Sequence, residues 1–336
     1  MIEKKDNVGA QHDKYGKAHK EREMYEACIE GTLELREHSK TYIPQFPAES
    51  DKSYDFRIKT LTHFNLCKKT RDVMTGLVFK SEIELGDDVN AQIVPLTENI
   101  DNSGTHLDVF ARKVMEERFA GYAVILADAP STNVTTLEEQ NALNLRPFLK
   151  LYKADSVWNW DREINQVNKS KQLTLLVLRE VSSQRLSTSF VTSEVVRFRV
   201  FRLINGAVTW ELWREEKDAQ GKVNYSLENE PMIIAGFDQI PVAIVGKLGE
   251  CPPLLDIALK NIEHTQTYSD YKSILHKTCV PQFYITGMEA DEAKGAVVSA
   301  QTMWTVGDPS AKVGYAEVAG SSIEKVRQSL QDIREE

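Results

Sequence analysis

Two consecutive prolines, Pro252 and Pro253, divide this 336-residue chain into two kinds of sequence. After them LLDIALKNIEHTQTYSDYKSILHK runs from Leu254 to about Lys277 without Gly or Pro. A proline pair suits a helix start, because the N–H that proline lacks is one the first turn leaves unbonded anyway. Before them comes a series of apolar and β-branched runs: FLKLY, SVWNW, LTLLVLREV, VVRFRVFRL, VTWELWRE, MIIAGF and IPVAIVG. Such runs, separated by polar and turn residues, predict strands. Asn205-Gly206 joins two of them and supplies the positive φ values of a type I′ hairpin turn. The fold class is therefore α+β, with sheet and long helix succeeding one another along the chain.

The rest of the chain extends this division. Residues 1–20 are polar and charged and read as a flexible arm. Met24, Ala27, Cys28, Thr32 and Leu35 recur at helical spacing from Glu21 to about Tyr42, and the prolines of YIPQFPAES end that helix. A second helix is predicted from Ser53 to about Leu77, with Tyr54, Ile58, Leu61, Phe64 and Cys67 on one face. A third, from Leu107 to Ala120, passes through Gly121 into the short apolar run YAVILA, which predicts a buried strand. Past the long helix, VPQFYITG opens a segment of mixed strands and Gly turns up to Gly320, and Ser321 or Ser322 caps a last helix. That helix has no terminating Gly, Asn or Pro before Glu336, which predicts a natural chain that continues. The expected divisions are an arm (1–20), a mixed domain (21–250), a long helix (251–278), a small β-containing segment (279–320) and the start of a second helix (321–336).

Composition narrows the function classes. The formal charge is −9 and 27% of residues are charged, so the chain as a whole has no excess of cations for gripping phosphates. Four scattered cysteines, Cys28, Cys67, Cys251 and Cys279, form no CxxC pair and predict a reduced chain without a disulfide framework or zinc site. The start lacks the apolar core of a signal peptide, and no stretch approaches the ~18 apolar residues of a membrane span. The expectation is a soluble protein made in the cytoplasm.

Catalytic signatures are missing from the sequence. There is no GxGxxG, P-loop, GxSxG, HExxH or EF-hand loop. The seven histidines include no pair at i, i+3 or i, i+4, and His264 and His276 would stand about 18 Å apart on the long helix. Paired acids such as Glu116-Glu117 and Asp87-Asp88 read as solvated faces, and Asn133 and Asn168 as chance matches to glycosylation acceptors. Trp158, Trp160, Trp210 and Trp213 would serve either base stacking or sheet packing, and their apolar surroundings favour packing. Arg197, Arg199, Arg202 and Arg214 alternate along strands and read as an outer sheet face, with phosphate contact as the other reading. The chain is expected to be no enzyme and to need no cofactor or metal.

Five stretches, in order, carry a resemblance: TYIPQFPAES…SYDFRIKT, RDVMTGLVFKS, LDVFARKVMEERFAGYAVILADAP, RPFLKLYKADSVWNW and CPPLLDIALKNIEHTQTYSDYKSILHKTCVPQFYITG. Together they resemble the portal proteins of tailed bacteriophages, and more narrowly a portal-like family known as an uncharacterised phage domain. The resemblance implies a portal fold with a mixed α/β wing, long stem helices and a small clip, the crown region being absent. It implies a closed homo-oligomeric ring of about twelve subunits at one capsid vertex of the virion, a conduit for double-stranded DNA in packaging and ejection. Partners implied are further copies of the chain, the terminase large subunit, a head-tail adaptor, major capsid and scaffold proteins, and DNA bound without sequence preference. Charged residues near the clip turns, Glu289, Asp291, Glu292, Lys294, Asp308 and Lys312, would then meet terminase or adaptor. Lys260, Lys272, Lys277 and Lys325 on the stem helices would give weak phosphate contacts in the channel. The mixed polarity of the long helix fits packing between identical neighbours with one edge on a wet channel. Another phage head or adaptor protein is the second expectation, and an enzyme with a dispersed site the third.

Overall fold

The computed structural model describes residues 7–130, 136, 138–139, 143, 145–165, 169–185, 190–218, 220–278, 282–286, 312–316 and 321–335. The chain is mixed α+β and divides into two compact units: Met1–Ile29 with Leu66–Ala258, and Glu30–Asn65 with Leu259–Glu336. The sequence places residues 30–65 in one domain with 66–250. Instead they pack with the long helix, for a reason given below.

The first unit holds α1 (Tyr15–Glu30), α5 (Leu66–Val78), α6 (Leu107–Phe119) and strands β1 to β8. β1 (Ala123–Asp128) is the middle strand of a small antiparallel sheet, between β2 (Phe148–Lys153) and β8 (Val242–Val245). β3 (Val157–Ile164), β4 (Lys171–Gln184), β5 (Ser193–Ile204), β6 (Ala207–Lys217) and β7 (Val223–Ile234) form a five-stranded antiparallel meander. The unbroken apolar run in LTLLVLREV follows from cover on both faces, which removes the alternation a half-wet strand would show. On one face Leu176, Leu178, Phe201 and Val208 share a core with Val124, Leu126 and Tyr152 of the small sheet. On the other, Val177, Phe198 and Val200 pack with Trp158, Trp213, Tyr225 and Val8. α6 covers the far side of the small sheet through Phe110 and Val114. Gly121, between α6 and β1, has φ 133°, and a Cβ there would stand 2.8 Å from the Glu250 carbonyl oxygen, so only glycine lets the chain pass.

The Asn205-Gly206 hairpin is as expected, with φ 51° and 78° and Ile204 opposite Ala207. β7 is longer than expected and runs through Pro231, which sits at a register shift on an edge strand. Both placements relieve proline of its missing ladder donor. The described part of the expected arm, residues 7–20, is not loose. Trp158 Nε1 donates to the Gly9 carbonyl at 2.8 Å, Asn159 Nδ2 to Ala10 O at 3.1 Å, and His12 stacks on Trp160. Two helical expectations also change. The helix from Glu21 breaks at Gly31 (φ 91°) into α1, α2 (Thr32–Glu37) and α3 (Ser39–Tyr42). The helix from Ser53 breaks into α4 (Asp51–Lys59) and α5, where Thr60 Oγ1 bonds back to the Phe56 carbonyl and residues 61–65 run irregularly.

The second unit contains α2 to α4, the body of α7 (Leu255–Thr278), the antiparallel pair β9 (Gln282–Thr286) and β10 (Lys312–Ala316), and α8 (Ser321–Glu335). The YIPQFPAES turn is fixed from within. Arg57, 4% exposed, holds Glu49 with two hydrogen bonds of 3.0 and 2.8 Å, donates to Pro44 O, and lies over the Phe46 ring.

Candidate functional site

The long helix α7 is the element the sequence singled out, and its buried face is polar. Ala258, Asn261, Ile262, Thr265 and Ser269 fall on one stripe and are all buried, as is His264. The cause is what α7 packs against. Residues 60–65 belong to neither helix nor sheet, so their carbonyls need other donors. Asn261 Nδ2 donates to Phe64 O at 2.9 Å, Lys272 Nζ to Thr60 O at 2.6 Å, and Arg36 to Leu61 O at 2.6 Å. Gln266 Nε2 donates to Tyr42 O at 2.6 Å, and His63 Nδ1 lies 2.6 Å from Thr265 Oγ1. The mixed polarity read as a wet channel edge is thus spent inside the chain.

This changes the standing of the predicted stem lysines. Lys272 donates to the Thr60 carbonyl and lies over the Tyr268 ring. Lys260 is exposed and paired with Glu263 at 3.3 Å, and Lys325 is exposed on α8. Lys277 is in α7, with its side chain outside the described residues. Twelve residues at 100° each turn Lys260 and Lys272 by about 120°, so they do not share a face. Of the predicted clip residues, Lys312 is exposed on β10. Glu289, Asp291, Glu292, Lys294 and Asp308 lie outside the described residues.

Charged side chains inside the first unit are spent on each other. Arg199 reaches Asp128 at 2.6 Å and Glu180 at 3.2 Å, while Glu180 also takes Lys150 at 2.9 Å and the Tyr152 hydroxyl. Arg197 pairs with Glu228 at 2.7 Å, Arg202 with Glu211 at 3.4 Å, and Arg214 with Glu228 at 3.9 Å. All four arginines thus meet carboxylates, Arg197 and Arg214 sharing Glu228. Trp160 is buried, and Trp158 lies edge-on to Phe198, so packing is their role.

The most perturbed acid is Glu26 on α1. Burial, and then the neighbouring Asp155 carboxylate, push its carboxyl up to about 7. Burial also raises Glu117, which Lys153 meets at 3.2 Å. A carboxyl near neutrality is what acid–base chemistry needs. Two cavities lined by described residues open elsewhere. One of ≈ 520 Å³ lies against Lys171, Gln172, Leu203 and Ile240, and one of ≈ 370 Å³ against Phe56, Ser269 and His276. Glu26 lines neither, so it reads as a strained structural acid.

One feature the sequence reading passed over is on α5. Its exposed side carries Leu66, Val73, Met74, Leu77 and Val78, with Leu77 68% exposed, while the buried side offers Cys67 and Thr75. The apolar stripe therefore faces outward. Spacing i, i+7, i+8, i+11 and i+12 in LCKKTRDVMTGLV was a legible signal for it. Ile83 and Val109 are also exposed, and Ile83 N donates to the Asp108 carboxylate.

Among the described residues no helix is long and apolar enough to cross a membrane. A family model described as a domain of unknown function (DUF4055) matches residues 253–336, which hold all of α7, β9, β10 and α8. No curated protein matches the chain.

Proposed function

We propose that this chain is a ring-forming structural subunit of a tailed-bacteriophage portal, whose work is mechanical rather than catalytic. The observation that carries the reading is the order within residues 253–336. A 24-residue helix leads to an antiparallel strand pair, and a second helix follows. That is the stem–clip–stem order of the proteins the sequence resembles. In this reading α7 and α8 are stem helices and β9–β10 belongs to the clip, where terminase and later the head-tail adaptor dock. The first unit is the wing.

About a dozen copies would close the ring, with capsid and scaffold proteins around it and double-stranded DNA passing through. A ring subunit needs a heterologous interface, different on its two sides, and the outward apolar stripe of α5 supplies a candidate for one of them. The channel cations in this reading are Lys260, Lys272, Lys277 and Lys325, against a net charge of −9 for the whole chain. A duplex that must slide is served by such sparse, weak phosphate contact.

The test is the native mass of the purified protein, expressed as its full open reading frame, with negative-stain images. Rings of about a dozen subunits with a central hole are expected. A monomer across the micromolar range would overturn the proposal, and turnover of a substrate by that monomer would favour the enzyme reading.

A further inference from the structure

The cavity of ≈ 370 Å³ lies within the second unit, between α4 and the C-terminal half of α7. Spacing builds it. Ser53, Phe56, Arg57 and Thr60 fall at i, i+3, i+4 and i+7 along one face of α4 and the residue that caps it. Ser269, Lys272, Ser273 and His276 repeat that spacing on α7. Three serines stand where interlocking helices would carry Leu or Val, so the facing stripes leave a gap instead of a packed seam. The walls of the gap are mostly apolar, and its volume lies at the small end of the range that ligand sites occupy.

One buried group in it is unmet. Thr265 and Thr267 on α7 each donate their hydroxyl to the carbonyl four residues back, at 2.9 and 3.0 Å. Ser269, 3% exposed, does not, and its Oγ has no hydrogen-bond partner. A buried hydroxyl in that state costs stability until something in the cavity meets it. One turn along, Lys272 Nζ donates to the Thr60 carbonyl at 2.6 Å, which takes one of the three N–H groups an ammonium carries. Arg57 is occupied by Glu49 at 2.8 Å and faces Asp270 at 3.6 Å, so it braces the wall. Phe56 and His276, both exposed, stack at 5.1 Å and form a flat aromatic rim.

We propose that this cavity binds a small aromatic carboxylate, its ring against Phe56 and Leu275 and its carboxylate between Lys272 Nζ and Ser269 Oγ. An ionised carboxylate only accepts hydrogen bonds, which suits an ammonium and a hydroxyl that both have protons to give. Among the described residues no acid lines the cavity, and Glu49 and Asp270 are both held by Arg57. The apolar walls call for more than a bare anion, since they gain only from apolar surface brought out of water. The flat rim of Phe56 and His276 favours a ring as that surface.

The test uses the full chain with benzoate as the probe, followed by saturation-transfer NMR and by equilibrium dialysis of labelled benzoate. Saturable binding of one benzoate per chain is expected. Inorganic phosphate, an anion without a ring, and benzyl alcohol, a ring without the anion, should each bind at least about tenfold more weakly. Ser269→Ala should weaken benzoate about tenfold, the loss of one hydrogen bond to a charged group. Ser273→Phe changes neither anchor but fills the gap, and should abolish binding; it decides the matter alone if Ser269→Ala fails to fold. The inference is overturned if benzoate does not saturate, which leaves the cavity to water. It is equally overturned if phosphate or benzyl alcohol binds as tightly, or if either folded variant binds benzoate as the native chain does. None of these readouts requires a ring, so its failure and that of the portal reading are distinguishable.

Discussion

The two units bury their interiors by different rules. In the first, ladders of seven to ten residue pairs satisfy the backbone of the meander, which frees Leu176, Val177, Phe198 and Phe201 to be purely apolar. In the second, residues 60–65 have no ladder, and buried Asn261 and Thr265 on α7 stand where Leu or Val would otherwise be expected. The lesson is that the polarity of a buried helix face reports what the neighbouring backbone lacks. A helix docked on regular structure is greasy, and one docked on irregular chain carries donors.

The comparison can be broken at either end. Phe198→Ala removes a fully buried ring from the meander core and should cost about 3–5 kcal/mol in urea unfolding. A loss under ~1 kcal/mol would mean that core is not tightly packed. Asn261→Leu keeps the volume and removes the donor, leaving Phe64 O unmet. The expected cost is ~1–3 kcal/mol, with faster amide exchange confined to residues 60–65 and α7. A neutral result would show that apolar burial serves this seam as well as hydrogen bonding does.

The third prediction concerns pH. Glu26 has a folded pKa of about 7 against 4.5 unfolded, so its contribution is fully present below pH 4.5 and lost as pH rises through 7. Glu26→Gln should therefore stabilise the protein at pH 8 by ~1–2 kcal/mol after allowance for solvent screening, and leave it unchanged at pH 4. Thermal melts at both values decide it. Glu180 works in the opposite sense: Arg199, the Tyr152 hydroxyl and Lys150 hold its carboxyl low against the pull of burial, so its contribution disappears as pH falls. The smallest effect on stability belongs to Leu77→Glu, within about 0.5 kcal/mol for so exposed a site. The same change should abolish self-association in sedimentation velocity if α5 is a subunit interface. Intact oligomers would move the interface elsewhere.

Local signals were legible and long-range ones were not. Asn205-Gly206 and Pro252-Pro253 act through their own backbone constraints, so the hairpin and the start of α7 could be read directly. The break at residues 60–65 could not, because Leu61, Phe64 and Cys67 keep helical spacing across a stretch that is not helical. Docking of residues 7–14 was hidden for another reason. Its bonds use the carbonyls of Gly9 and Ala10, which leave no trace in side-chain pattern. Lys272 looked like a surface cation because charge alone says nothing of the Thr60 carbonyl 212 positions away. The clip residues proposed to meet partners, apart from Lys312, lie outside the described residues.

The second unit is assembled from two stretches of chain separated by nearly two hundred residues. The family match begins at residue 253 and contains only one of them. A fragment cut at that boundary would inherit Asn261, Thr265 and Gln266 without the carbonyls they serve, and an α7 with a polar stripe and nothing to lie against. The matched stretch and the compact unit therefore do not coincide. An autonomous version of the C-terminal half would have to be spliced, with residues 30–65 supplied in cis or added back as a peptide.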